Sequence, residues 1–548
     1  MSINAGYAHI KSFALNLALT ALAAVLFAAS FPNLLLENGL PLLAWVCYAP
    51  IFIVIQRSNF AASVFWGALY GYSAYSLFNY WLGVFHPLAG IIVGILFTCY
   101  MAILFPLLKL ARVFFPKRGY LAQWLIWLGY EYLRTLGFLG YSYGVTAYSQ
   151  WRVLPLIQMA AVFGVWGVSC LTVFPSAWLA AALEGADFSR GIKGCARAVK
   201  NFFARDKIPP LAWAAVLCAA FIAGAASMGN YAAAPKARIA LIQHNADPWR
   251  GGLDEYRRNF KTLTRLSDEA LAAGQNIDLV VWPETAFVPR IYWHETYRDD
   301  PASWLLVRDL LNYLAAQETP FLIGNDDARK EPAKNPNPAE DYRVDYNAAM
   351  LFERGKITQA YRKLHLVPFT EHFPYKKQFP RIYRALEASD THFWEKGSEA
   401  LVFSGPGFRF SSPICFEDTF GYLSRNFVRN GAELIINISN DAWSASLPAQ
   451  NQHLSMAVFR AVENRRSMAR STASGQTCAI DPSGRIIALA PPFTEAWISA
   501  EVPIVAGLTP YTRCGDFAGK AFAILAFGLL IIGGILFTIR YTKAGERR

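Results

Sequence analysis

Three polar residues, far apart in the chain, carry the groups that thiol-based acyl transfer needs: Glu284, Lys363 and Cys415. They stand in or just after apolar, strand-like runs, LVVWPE, YRKLHLVPF and FRFSSPICFE. A carboxylate can take the thiol proton, the thiolate can attack a carbonyl, and an ammonium can hold the oxyanion that forms. Each residue also has an ordinary reading: a small buried hydrophobe for Cys415, a loop carboxylate for Glu284, a solvated edge lysine for Lys363.

The flanking residues say how each group would be presented. Pro283 ends the strand ladder and aims Glu284 away from it. In YRKLHLVPF, strand periodicity puts Tyr361, Lys363 and His365 on one face and Arg362, Leu364 and Leu366 on the other. After Cys415, FEDTFGYLSRNF reads as a tight turn leading into a helix, with Asp418 or Thr419 as N-cap. A cysteine there gains backbone N–H donors that lower its pKa, while Glu417 pushes the other way.

The elements that must position these groups alternate between strand and helix. ARIALIQHN, IDLVVWPET, PFLIGND, NAAMLFER and AELIINISND read as short strands. Between the first two, Leu253, Tyr256, Phe260, Leu263 and Leu271 share one helical face over 253–274. Further helices are expected over 304–316, 420–430 and 452–466, and an exposed loop over 332–341. This predicts one large α/β domain or a compact double unit.

Around that region the chain is far more apolar. Of its 548 residues, 54% are hydrophobic and 16% charged, too apolar a mixture for an ordinary soluble enzyme. Eight membrane spans are expected, at 12–30, 40–55, 61–84, 89–110, 121–139, 154–183, 210–228 and 518–538. The first could instead be a cleaved signal peptide ending near Ala28-Ala29-Ser30. Alternate connections carry the cations: Arg57; Arg112, Lys117 and Arg118; then Arg190, Lys193, Arg197, Lys200, Arg205 and Lys207. The positive-inside rule then puts both termini in the cytoplasm and the large polar region outside. The formal charge of +12 therefore orients the chain, and no long basic run or phosphate-cradling glycine loop points to nucleic acid. The expected organisation is a seven-span membrane domain over 1–230, an extracytoplasmic domain over 231–516, and a closing span with a cytoplasmic tail over 517–548.

The eight cysteines show no CxxC and the histidines no metal spacing, so neither a catalytic metal nor a cofactor is expected. A Cys478–Cys514 disulfide is left open. Glu131 and Arg134, one turn apart near a span end, suit either a lipid headgroup or a structural ion pair. Between Lys363 and Cys415, rings and cations such as Phe373, Lys376, Lys377, Phe379, Arg381 and Trp394 suit either a headgroup surface or ordinary packing.

Taken together, WPETA, YRKLHLVPFTEHFP and PICFED make the region from about 237 to 502 resemble the nitrilase superfamily. Within it, the chain is similar to the membrane-embedded apolipoprotein N-acyltransferase family. NISNDAW, QHLSMAVFRAVENRR and ARSTASGQTCAIDPSGRI extend the resemblance downstream, and EYLRTLGFLGYSYG and FGVWGVSCL extend it into the membrane part. The resemblance implies an αββα sandwich inserted before the last span, with Glu284 as general base, Lys363 as oxyanion stabiliser and Cys415 as nucleophile. It implies supporting roles for Glu371, Glu417 and Trp249, the last on a mobile loop. Phe416 stands where the family usually has tyrosine, so a hydroxyl there is missing, and GYSYG replaces a common GFPW-like run. The implied partners are a phospholipid acyl donor and a diacylglyceryl apolipoprotein acceptor, at the bacterial inner membrane. Two other readings use the same residues differently: a membrane-tethered amidohydrolase that spends the thioester on water, and a non-catalytic lipid or lipoprotein binder.

Overall fold

The computed structural model of the chain describes residues 2–85, 87–187, 190–331, 342–388 and 393–545. The loop expected over 332–341 lies outside the described residues. The chain forms two compact units, one of Met1–Met228 with Asp516–Arg548 and the other of Gly229–Gly515.

The second unit contains twelve described strands in two sheets. They are β1 (Lys236–Gln243), β2 (Leu279–Val281), β3 (Phe321–Glu331), β4 (Tyr342–Glu353), β5 (Lys356–Arg362) and β6 (Phe403–Ser404). The rest are β7 (Arg409–Ser411), β8 (Leu434–Ser439), β9 (Ser467–Thr472), β10 (Cys478–Ile480), β11 (Ile486–Leu489) and β12 (Ala496–Pro503). One sheet runs β12-β1-β2-β3-β4-β5, the other β11-β10-β9-β8-β7-β6. Apolar alternation decides which side meets what. Ile239 and Leu241 of β1 join Phe410, Leu434, Ile436 and Ala469 of the other sheet in one buried core. Ala240 and Ile242 point the opposite way, onto Leu263 and Leu266 of the helix Leu253–Ala272 and Leu306 and Leu310 of the helix Pro301–Ala315. Helices cover the outside and two sheets meet inside, a nitrilase-like α/β architecture.

The helical unit differs in detail from the expected spans. Among the described residues, five helices are long and apolar enough to cross a membrane: Ile10–Ser30, Ala89–Phe114, Val165–Ala182, Ile208–Ser227 and Phe517–Arg540. The second expected span is broken into Pro41–Trp45 and Ala49–Arg57. The third is the helix Phe60–Phe78 and the fifth the 15-residue helix Gly119–Leu133. The sixth breaks into Leu154–Ile157, Ala160–Phe163 and Val165–Ala182, the last break falling at Gly164 with φ +64°. A left-handed residue cannot continue a right-handed helix, so the apolar run is interrupted although its hydropathy is not. Of the cations read as a loop, Lys193, Arg197, Lys200 and Arg205 fall on a helix, Gly191–Arg205. Glu131 and Arg134 do not form the ion pair that was one of the two expected arrangements. Glu131 accepts from Thr146 and Ser169, while Arg134 Nη1 donates to the carbonyls of Tyr141 and Tyr143 at 2.8 and 3.0 Å.

All eight cysteines are free, which removes the Cys478–Cys514 disulfide: Cys478 is buried in β10 and Cys514 is exposed.

Candidate active site

Glu284 follows β2 by three residues and is 6% exposed. A Cβ on Gly324 of β3 would meet the Pro283 carbonyl oxygen at 2.3 Å and Glu284 Cα at 2.7 Å, so only glycine lets β3 pass this close. The Glu284 carboxylate is then fixed on both oxygens. Oε1 accepts from Asn347 Nδ2 at 2.8 Å and Lys363 Nζ at 3.3 Å, and Oε2 accepts from the Asn440 N–H at 3.0 Å.

Lys363 comes immediately after β5, its N–H donating to the Asn347 carbonyl at 2.8 Å. Its side chain is fully buried, unlike that of a solvated edge lysine. Nζ lies 2.9 Å from Glu371 Oε1, and the Val367 N–H holds Glu371 Oε2 at 2.9 Å. Burial works against the ammonium, but Glu371 and Glu284 outweigh it and hold the Lys363 pKa above its ordinary value. Burial pushes the Glu371 carboxyl up, against the pull of Lys363.

Cys415 opens a 3₁₀ turn, Cys415–Thr419, with φ +49°. The helix that follows, Gly421–Arg429, begins later than expected, with Phe420 at the N-cap position, so neither Asp418 nor Thr419 caps it. The thiol pKa is accordingly raised, not lowered. Burial is the largest cause, Glu284 the next, and Lys363 opposes them. A resting protonated thiol needs a base to become a nucleophile, and Glu284 is the charged group with the largest influence on this one.

Glu417 is turned away from that task. Its oxygens accept from the N–H groups of Ile414, Leu364 and His365 at 2.8, 2.7 and 2.9 Å, and from the Tyr361 hydroxyl at 2.8 and 2.9 Å. It ties the Lys363 segment to the Cys415 turn. Burial raises its pKa to about 7, against the pull of the Ile414 and His365 amides. Phe416 packs its ring 5.0 Å from Phe420 and 5.8 Å from His365. Trp249 is 65% exposed on the loop after β1, outside this buried cluster.

Sequence reasoning missed Asn347, Asn440 and a second ionic cluster beside the nucleophile turn. His453 Nε2 lies 2.7 Å from Asp418 Oδ1 and its Nδ1 3.0 Å from Asp441 Oδ1. Arg470 donates to Asp418 and, at 3.1 Å, to Asp441 Oδ2. A polar residue inside an apolar strand, as in VDYNAAM, was the available signal for Asn347.

Two family models match. Carbon-nitrogen hydrolase covers 238–508, and the apolipoprotein N-acyltransferase N-terminal domain covers 23–178. Apolipoprotein N-acyltransferase 1 of Treponema pallidum is 49% identical over 535 residues, 96% of this chain and 97% of its own length. The chain belongs to the apolipoprotein N-acyltransferase family. Apolipoprotein N-acyltransferase 1 of Treponema denticola is 47% identical over 525 residues, 94% of this chain and 95% of its own. The solved nitrilase-superfamily structure of Saccharomyces cerevisiae Nit3 covers 50% of this chain and 93% of its own, at 20% identity and a TM-score of 0.35, too weak a likeness to add to that match. As a member of the family the chain is an acyltransferase built on a carbon-nitrogen hydrolase domain, a membrane enzyme with several apolar helices.

Proposed function

We propose that the enzyme moves a fatty acyl chain from a phospholipid, through a thioester on Cys415, to the α-amino group of a diacylglyceryl-cysteine on an apolipoprotein. The observation that carries this reading is the buried Lys363 ammonium held between Glu284 and Glu371, with Glu284 and Lys363 both acting on the Cys415 thiol. Glu284 takes the Sγ proton and the thiolate attacks the ester carbonyl. Lys363 steadies the tetrahedral oxyanion. As that intermediate collapses, the ester C–O bond breaks, Glu284 returns the proton to the departing lysophospholipid, and the acyl group stays on sulfur. The acceptor amine then attacks the thioester and the C–S bond breaks, giving ping-pong kinetics. In this scheme Glu371 and Glu417 position, the first holding Lys363 and the second the Cys415 turn. Trp249 serves the exposed loop beside the site.

The arrangement proposed in the membrane is eight spans, some of them broken, with both termini cytoplasmic and the domain over 231–516 outside the bacterial inner membrane. Cation placement in alternate connections supports it. A closed, water-poor site keeps the thioester from hydrolysis. The test is Cys415→Ala and Cys415→Ser in an assay of N-acylation of a diacylated lipopeptide, with intact-mass detection of an acyl adduct. Loss of both adduct and product is expected. Full activity of either variant ends the proposal, release of free fatty acid alone marks a hydrolase, and no adduct on the unsubstituted enzyme marks a binder.

A further inference from the structure

The helix Gly191–Arg205 joins two of the helices long and apolar enough to cross a membrane, Val165–Ala182 and Ile208–Ser227. From Arg190 to Lys207 the chain carries Arg190, Lys193, Arg197, Lys200, Arg205 and Lys207 against a single acid, Asp206. One face of the helix is packed. Phe202 sets its ring 5.9 Å from that of Tyr120 and 5.8 Å from that of Trp178. Gly194 is buried against the Asp187 carbonyl, which a Cβ there would meet at 2.1 Å. Asp206, at the C-cap, is held by Arg118 at 2.8 Å and by the Tyr120 hydroxyl at 2.9 Å. These contacts fix how the helix is turned about its axis.

Helical periodicity then sorts the other side chains. Ile192, Ala196 and Phe203 lie about 80–120° round the axis from Phe202, and Lys193, Arg197 and Lys200 about 160–220°. All six are exposed, Ile192 by 88% and Phe203 by 40%, although the Phe203 ring still comes within 6.4 Å of Trp178. An apolar flank thus runs beside a cationic one, both on the side that the unit leaves uncovered. The acids nearby are already taken: Asp187 pairs with Arg190 at 3.0 Å, Asp206 with Arg118, and Glu184 with Arg112. Among the described residues, Lys193, Arg197, Lys200 and Arg205 pair with no carboxylate. Exposed apolar side chains beside unmet cations fit a partner that is anionic at its surface and apolar just beneath it. A leaflet containing anionic phospholipid has that profile. Asp206 and Lys207 alone link the helix to the apolar helix that begins at Ile208, so its C-terminal end stays at the boundary of that span.

We infer that the helix Gly191–Arg205 lies on the cytoplasmic leaflet and binds anionic phospholipid headgroups there. Ile192, Ala196 and Phe203 enter the interface, and Lys193, Arg197 and Lys200 meet the phosphates. The inference rests on the membrane arrangement proposed above, which puts this connection on the cytoplasmic side. It adds a lipid contact that is separate from the acyl donor. In this role the cations bind lipid as well as orient the chain.

The test uses the full-length enzyme in neutral detergent, titrated with ether-linked phosphatidylglycerol or phosphatidylcholine, which have no acyl ester to donate. Bound lipids are counted by native mass spectrometry. Each cation at an anionic surface is worth about fivefold in affinity at low salt, so three give phosphatidylglycerol a preference on the order of 100-fold. The combined variant Lys193→Gln, Arg197→Gln and Lys200→Gln should lose that preference. A variant with the same charge change elsewhere, Arg257→Gln, Arg258→Gln and Lys261→Gln on the helix Leu253–Ala272, should keep it. All six positions are exposed, and equal melting temperatures check that both variants fold. No preference in the unsubstituted enzyme, an unchanged one in the first variant, or an equal loss in both variants overturns the inference. So does displacement of the lipid by polyglutamate, which would mark an acidic protein as the occupant. The membrane arrangement beneath it fails separately: an impermeant maleimide that labels Ala204→Cys in intact spheroplasts, read at residue 204 by peptide mass, would put the helix outside whatever lipid it prefers.

Discussion

Two buried ionic clusters lie in the same unit, one on the first sheet and one beside the nucleophile turn. In the second, Asp418, Asp441, His453 and Arg470 are each 3% exposed or less, and all four carboxylate oxygens accept from His453 or Arg470. With His453 protonated, two anions face two cations, and only Arg470 Nε is left over. The first cluster sets one ammonium against Glu284 and Glu371, beside the unmet side-chain oxygen of Asn347. A closed, balanced network fixes geometry, whereas an unbalanced one keeps capacity for a ligand or a moving proton. The closed cluster also touches the chemistry at one remove. Asp418 belongs to the turn that Cys415 opens, and Asp441 follows Asn440, whose N–H holds Glu284.

If that contrast is right, breaking the closed cluster should cost stability first. Arg470→Met leaves Asp418 and Asp441 buried with one cation fewer, a change worth about 3–5 kcal/mol. The apparent melting temperature should fall by on the order of 10 °C, measured by thermal denaturation in detergent, with activity falling in step with the folded fraction. A melting temperature equal to that of the unsubstituted enzyme would erase the distinction.

Lys363→Met should do the opposite, removing activity while the protein stays folded. Loss of an oxyanion donor costs about 10²–10³-fold in turnover, and the Cys415 adduct should disappear with it. The carboxylates left behind keep other donors, since Asn347 and Asn440 serve Glu284 and Val367 serves Glu371. Melting and adduct formation measured on one preparation would show whether the two losses separate.

These contrasts show what the sequence could and could not convey. Glu284, Lys363 and Cys415 are visible because a polar side chain at the end of an apolar run is costly unless used. Strand alternation likewise placed ARIALIQHN and NAAMLFER, where β1 and β4 run, and one apolar face marked the helix Leu253–Ala272. Cross-strand register is another matter. Nothing local pairs Asp326 with Asn347, because their juxtaposition depends on which strands become neighbours. The thiol pKa was misjudged for a related reason. The local pattern suggested a helix N-terminus and Glu417 as the opposing charge, but a 3₁₀ turn intervenes, Glu417 is consumed by backbone amides, and Glu284, from the turn after β2, supplies the charge. In the helical unit, hydropathy located the apolar runs but not the break at Gly164, which depends on a backbone angle.

The closed cluster also predicts a pH dependence that the open one does not share. Burial disfavours charge on His453, but Asp418 and Asp441 raise its pKa from 6.5 to about 9. A folded pKa above the unfolded one stabilises fully below the unfolded value, and that stability is lost as pH rises through the folded one. Unfolding free energy should therefore decline between pH 6.5 and about 9, by up to about 3 kcal/mol from this group. Asp441, held well below the usual carboxylate range despite its burial by His453 and Arg470, contributes at the other end, its stabilisation failing only in strong acid. His453→Gln should be less stable near neutrality and flat across the alkaline window. A slope that survives the substitution would assign it to another group.

The smallest expected effect falls at the boundary between the two clusters. Phe416 follows Cys415, yet its ring contacts are an edge-to-face packing on Phe420 and a tilted one on His365, and it belongs to neither ionic set. Phe416→Tyr adds a hydroxyl to a half-buried ring, where the change should stay within about 0.5 kcal/mol in stability and about twofold in rate. A larger gain in N-acylation would mean that the hydroxyl reaches the unmet Asn347 oxygen or the oxyanion, and that the open cluster is incomplete on this side too. A larger loss would mean that the Cys415 turn is packed too tightly to admit one oxygen. Single-turnover adduct formation distinguishes them, because a hydroxyl on the oxyanion speeds that step and a displaced turn slows it.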